Sequence, residues 1–227
     1  MLARARARYL LLMEASHSTF KQDGGASASR TFTEAARRAQ IVGAAIEVIA
    51  ESGYAKASFT RIAKQAGLSS TGMISYHFSG KDDLMREVVG EVLRVADAYM
   101  RPRIEAQATA SGRLRAYIES NIALLKEFPN HLPAMVEVFG NLRGEDPSLR
   151  EFAAAMEAVV DLQVERMREA QEAGEFGEFD PRVMVMAIRG AIDGLVTRAA
   201  KDPRIDPDVC GRELADLFER ATRKADR

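Results

Sequence analysis

The sequence predicts an all-α protein of about nine helices, three at the N-terminal end and then a larger helical bundle. Three observations carry that reading. No stretch of the 227 residues alternates apolar and polar side chains as a half-buried strand must. Apolar residues recur instead at helical spacing, as in Ile41, Ala44, Ala45, Val48 and Ile49. Strong punctuation separates the periodic segments: Gly53, Gly67, Ser79-Gly80, Ser111-Gly112, Pro129, Gly144 to Pro147, Gly174 to Gly177, Asp180-Pro181 and Asp202-Pro203 to Pro207.

The elements follow in order. Residues 1–33 are expected to form a flexible basic tail, with Arg4, Arg6 and Arg8 alternating with alanines. The apolar run from Leu10 is too short for a secretory leader, whose apolar region needs ~7–15 residues. Thr33-Glu34 opens the first helix, which ends at Gly53. Ser58 caps a short helix through Ala66, because its hydroxyl can take one of the free N–H groups of the first turn. After the Gly67-Leu68 break, Ser69 or Ser70 caps another short helix to about His77. Lys81 starts a long helix to about Ala106, and further helices fall near 111–127, 131–142, 147–173, 181–201 and 207–224. Asp180 is an N-cap followed by Pro181 at the first helical position, where a missing N–H costs nothing. Expected domains are residues 34–80 and residues 81–227.

Composition narrows the function. A single cysteine, Cys210, excludes an internal disulfide framework and a zinc site of paired cysteines, and fits a reducing cytoplasm. No window reaches ~18 consecutive apolar residues, so no membrane span is expected. The three histidines share no helical face with Cys210 or a carboxylate pair, and no glycine-rich phosphate loop follows a strand. No enzyme, metal or cofactor is expected. The net charge of -1 conceals an asymmetry. Residues 1–81 hold 11 Lys/Arg against 5 Asp/Glu, while residues 82–227 hold 21 against 28. A basic front joined to an acidic remainder points to an anionic partner for the front.

Residues 58–78 carry the clearest motif. Two short helices around a glycine-containing turn form a helix-turn-helix. Phe59, Ile62, Ala63 and Ala66 bury the first helix, Leu68 fills the turn and Ile74 buries the second. The second helix is left with a hydroxyl-rich, uncharged face able to meet base edges, phosphates or a thymine methyl.

The wider run from Ala39 to Val89 resembles the DNA-binding domain of the TetR family of transcriptional regulators. The resemblance rests on Ile41 to Gly53 followed by Tyr54, on Ser58-Phe-Thr-Arg-Ile-Ala-Lys-Gln-Ala-Gly-Leu-Ser, on Ile74-Ser-Tyr-His-Phe and on Gly80-Lys-Asp-Asp-Leu. Ten residues separate Gly67 from Phe78, one more than the commonest family pattern. The resemblance implies that residues 70–76 enter the major groove. Thr71, Gly72 and Met73 are then base-edge candidates, with Ser69, Ser70 and Ser75 beside them. It places the Tyr76 hydroxyl on a phosphate and brings Lys81 to the DNA backbone, with His77 in reach. Ser58 and Thr60, at the start of the supporting helix, are phosphate candidates. Arg37 and Arg38 open the first helix, where cations oppose the dipole and so imply a nearby anion.

The family dimerises through its final helices, so the resemblance implies a homodimer on a palindromic operator in double-stranded DNA. Val183, Met186, Ala187, Ile188, Ala191, Leu195, Ala199, Gly190 and Gly194, with Leu214, Leu217 and Phe218, are candidates for that surface. The middle helices are expected to hold a small apolar effector that releases DNA. Its candidate contacts are Tyr99, Met100, Tyr117, Asn121, Phe128, Met135, Phe139 and Met156, a methionine-rich set able to adapt its shape. A repressor is the expected activity. The alternative is a helical carrier or enzyme for an apolar molecule, using the bundle alone.

Overall fold

The computed structural model describes residues 27–141, 147–199, 202 and 204–224. Among them are nine α-helices, one short 3-10 turn and no strand, so the fold is all-α. The helices are α1 (Ser27–Ser52), α2 (Phe59–Gln65), α3 (Gly72–His77), α4 (Lys81–Glu105), α5 (Ala110–Glu127), α6 (His131–Asn141), α7 (Pro147–Glu172), α8 (Pro181–Ala199) and α9 (Pro207–Thr222), and Tyr54–Lys56 forms the 3-10 turn.

Local chemistry sets most boundaries. The Ser58 hydroxyl accepts from the Arg61 N–H at 3.3 Å, Asp180 from Val183 at 2.9 Å, and Asp206 from both Asp208 and Val209. At the end of α2, Gly67 takes φ +65°, and the Leu68 N–H closes back on the Ala63 carbonyl at 2.8 Å. Two expected starts are corrected. The first helix begins at Ser27, not Thr33, since nothing from Ser27 to Thr33 is a glycine or proline. The start of α3 is Gly72, not a position capped by Ser69 or Ser70. Thr71 stands at the cap with helical φ -71° and makes no side-chain cap. Its carbonyl instead accepts from Ile74 and Ser75 at 3.0 and 3.1 Å. The rest of the expected tail, residues 1–26, lies outside the described residues.

The described residues form two compact units. One holds the chain up to Arg94 and the segment beginning at Pro129, hence α1 to α3, the first part of α4, and α6. Its core is aliphatic and dry: Ile41, Ala45, Ile49, Ala57, Ile62, Ile74, Leu84 and Val88 are fully buried. Ala134 and Val138 of α6 belong to that same cluster, also fully buried, so α6 packs with the helix-turn-helix. The other unit holds Val95–Phe128 and the segment from Arg150. Its core joins Leu114, Ile118 and Ile122 of α5 to Val164 and Met167 of α7, Val185, Ile188 and Ile192 of α8, and Ala215 and Phe218 of α9. No described helix is long and apolar enough to cross a membrane.

Candidate functional site

Helix α3 has only six residues and cannot hold itself in place by its own hydrogen bonds. Neighbours fix it instead. Ile74 and Phe78 are buried beneath it. The Arg38 guanidinium lies 4.4 Å from the centre of the Phe78 ring and donates at 2.7 Å to the His77 carbonyl. The same guanidinium pairs with Glu87 of α4 at 2.7 Å. Arg38 thus ties the end of α3 to α1 and α4, and the anion that its position implied is Glu87. Gln40 does a similar service for α2, donating to the Ala66 carbonyl at 2.6 Å.

On that scaffold the outer face of α3 is open. Tyr76 is 73 % exposed and Met73 40 % exposed. Gly72 and Ser75 are exposed beside them, as are Ser69 and Ser70 in the turn and Ser58 and Thr60 at the start of α2. Thr71 and His77 are half-buried, and the His77 ring meets the Tyr76 ring edge-on at 5.0 Å. Arg61 and Lys64 of α2 are exposed as well. Lys81 is turned partly inward. Its ammonium donates to the Tyr54 carbonyl at 2.9 Å and lies 3.9 Å from the centre of the Tyr54 ring. Burial pushes its pKa below the usual lysine value, with Asp82 opposing. One of its three N–H donors is used there.

The Tyr54 N–H in turn donates to the Glu137 carboxylate of α6 at 3.1 Å. Gly53 adjoins that carboxylate with φ +81°, a conformation that favours glycine. The roles of Arg38 and Gln40 and the Glu137 bond were not read from the sequence as fold-holding contacts. The partners stand 39, 26 and 83 residues apart, and only the unfavourable dipole position of Arg38 gave a sign.

The expected effector residues are dispersed. Tyr99 and Phe128 meet edge-on at 5.7 Å. The Tyr117 hydroxyl accepts from Arg189 at 3.2 Å, and the Asn121 amide donates to the Tyr117 carbonyl on its own helix at 2.8 Å. Met100 and Met156 are half-buried. Met135 packs on the core around the helix-turn-helix, and Phe139 follows it on α6. Tyr99 also lines a groove of about 640 Å³ bounded by the end of α4, by α5 and by the start of α9.

Residues 41–88 match the family model of bacterial regulatory proteins of the tetR family. The chain is 32 % identical over 160 residues to the fatty acid metabolism regulator protein of Bacillus subtilis, covering 70 % of this chain and 80 % of that one. This chain belongs to the TetR family. It is therefore a DNA-binding transcriptional regulator and not an enzyme. A TetR-family regulator of Chromohalobacter salexigens, BetI 1, is 38 % identical over 86 residues, 37 % of this chain but only 42 % of its own length. Among solved structures, the transcriptional regulator FadR of Bacillus subtilis in complex with stearoyl-CoA superposes with a TM-score of 0.68 at 26 % identity, covering 79 % of this chain and 96 % of that one.

Proposed function

We propose that this TetR-family chain is a cytoplasmic repressor that binds a palindromic operator as a homodimer and releases it on binding a long-chain acyl thioester of coenzyme A. The observation that carries the DNA half is α3: a short helix pinned from below by Ile74, Phe78 and Arg38, with Met73, Ser75 and Tyr76 facing outward. Thr71, Gly72 and Met73 read base edges, with Met73 suited to a thymine methyl. Tyr76 and Ser58 hold phosphates, and Lys81 adds the donors left over from Tyr54.

Dimerisation through α8 and α9 is supported by apolar exposure. Val183 and Met186 are 64 % and 62 % exposed on α8, and Leu217 is 52 % exposed on α9. Ala187, Gly190 and Gly194 are exposed on the same helix and would let a partner helix approach closely. The other candidates, Ile188 and Phe218, are buried in the chain's own core. The effector reading rests on the kinship to the fatty acid metabolism regulator and on the stearoyl-CoA held by the superposed regulator. Its acyl chain supplies the apolar character expected of the effector.

Gel-shift titration against the DNA upstream of the gene, at two salt concentrations, tests the whole. A steep loss of affinity with salt and release by stearoyl-CoA are expected. Tyr76→Phe should weaken every sequence alike, and Thr71→Val or Met73→Ala should change the preferred sequence. Uniform loss from the last two would remove their base-reading role. Sedimentation of Met186→Glu with Leu217→Glu should show a monomer.

A further inference from the structure

We infer that the groove between α4, α5 and α9 takes the phosphate-bearing head of the effector, with Arg103 and Arg212 as its anion contacts. This rests on the acyl-thioester reading and adds a place for the head group. The groove's volume of about 640 Å³ falls within the ~300–1,000 Å³ usual for small-molecule sites. Its walls are small where α5 and α9 come together: Ala116, Ala123 and Gly211 line it. A side chain at Gly211 would stand 3.7 Å from the Glu119 backbone.

Four charged residues face the groove: Arg103, Glu119, Asp208 and Arg212. The two carboxylates are already matched from outside it. Glu119 holds Arg115 at 2.9 Å, and Asp208 holds Lys126 at 2.7 Å. Among the described residues Arg103 and Arg212 have no carboxylate partner. The groove therefore presents two guanidinium groups whose charge nothing in the fold answers. Arg103 is also set in advance. Its guanidinium lies 3.5 Å from the centre of the Tyr99 ring and donates to the Tyr99 carbonyl. That stacking leaves the remaining N–H edge free to fork onto phosphate oxygens. Two separated guanidinium groups in an elongated open groove suit a head with several phosphates better than a single carboxylate.

Calorimetric titration of the intact protein with stearoyl-CoA, with stearate and with coenzyme A tests this. The wild type, Arg103→Gln, Arg212→Gln and the double variant are compared, with melting curves to establish that each folds. Each single change should weaken stearoyl-CoA about tenfold, the usual scale of one charge-assisted contact, and leave stearate unaltered. A double variant that binds stearoyl-CoA as the wild type does would overturn the groove assignment and leave the effector reading standing. Equal loss of stearate would overturn it too, because the arginines would then not be reading phosphate. A wild type that binds its operator yet takes no stearoyl-CoA would sink the effector reading and this inference with it.

Discussion

The two units hold themselves together by different chemistry. In the helix-turn-helix unit, polar side chains are spent on the backbone: Arg38 on the His77 carbonyl, Gln40 on the Ala66 carbonyl, Lys81 on the Tyr54 carbonyl and Glu137 on the Tyr54 N–H. In the bundle, side chains pair with side chains. Arg115 of α5 gathers Glu219 and Asp216 of α9, Lys126 takes Asp208, and Arg182 of α8 takes Glu157 and Asp161 of α7. The difference follows from helix length. Helices of six and seven residues have almost as many unpaired backbone groups as paired ones, so neighbours must supply the missing partners. Long helices satisfy their own backbones, and what is left to fix is their mutual register. A reader fixed through its backbone is rigid. A bundle tied by surface ion pairs is adjustable, which suits a ligand-responsive part.

The largest expected effect comes from removing the aromatic support of α3. Phe78→Ala should cost about 3–5 kcal/mol, read from urea denaturation, because the ring is 2 % exposed and fills the space under Arg38. A cost below about 1 kcal/mol would mean that the dry core does not decide the reader's stability. Next is Arg38→Ala. It leaves the His77 carbonyl and the half-exposed Glu87 without their partner, for about 1–2 kcal/mol. Operator affinity should fall more than stability does, since the end of α3 is released. Equal operator affinity would show that α3 is held by packing alone.

Arg115→Ala in the bundle should cost less, about 1 kcal/mol, because Arg115 and its partners are each about a quarter to nearly half exposed. The discriminating observation is salt. Raising sodium chloride should erase most of the Arg115 effect, by screening, and leave the Arg38 effect largely in place. Identical salt responses would remove the distinction between the two units.

What could be read in the sequence was local. Ser58, Asp180 and Asp206 cap helices by bonds that span two or three residues, and the all-α pattern needs only helical spacing. Ile62, Ala63, Ala66 and Ile74 are buried as the helix-turn-helix spacing demands. The start of α3 was misjudged because three consecutive hydroxyl residues, Ser69 to Thr71, offer equivalent caps and none is used by its side chain. The packing of α6 was not legible. Apolar Ala134 and Val138 say that the helix is buried, not which core receives it. The groove is likewise the product of three segments, so Arg103 and Arg212 carry no local mark that they share it.

Acid separates the units by the smallest effect. Of the chain's three histidines, His77 and His131 lie in the helix-turn-helix unit and the bundle segments contain none. Burial lowers the His131 pKa below its ordinary 6.5. The unfolded chain therefore takes up this proton at a higher pH than the folded one does. The stability tied to neutral His131 is complete above 6.5 and declines as the pH falls below it; once the folded-state pKa is passed it is gone. The position of His131 as the first residue of α6 adds to this, since a cation there opposes the helix dipole. Urea midpoints of the wild type should fall modestly on going from about pH 7.5 to about pH 5, and His131→Gln should flatten that part of the slope. If the variant keeps the full slope, the acid sensitivity belongs to carboxylates in either unit and does not distinguish them.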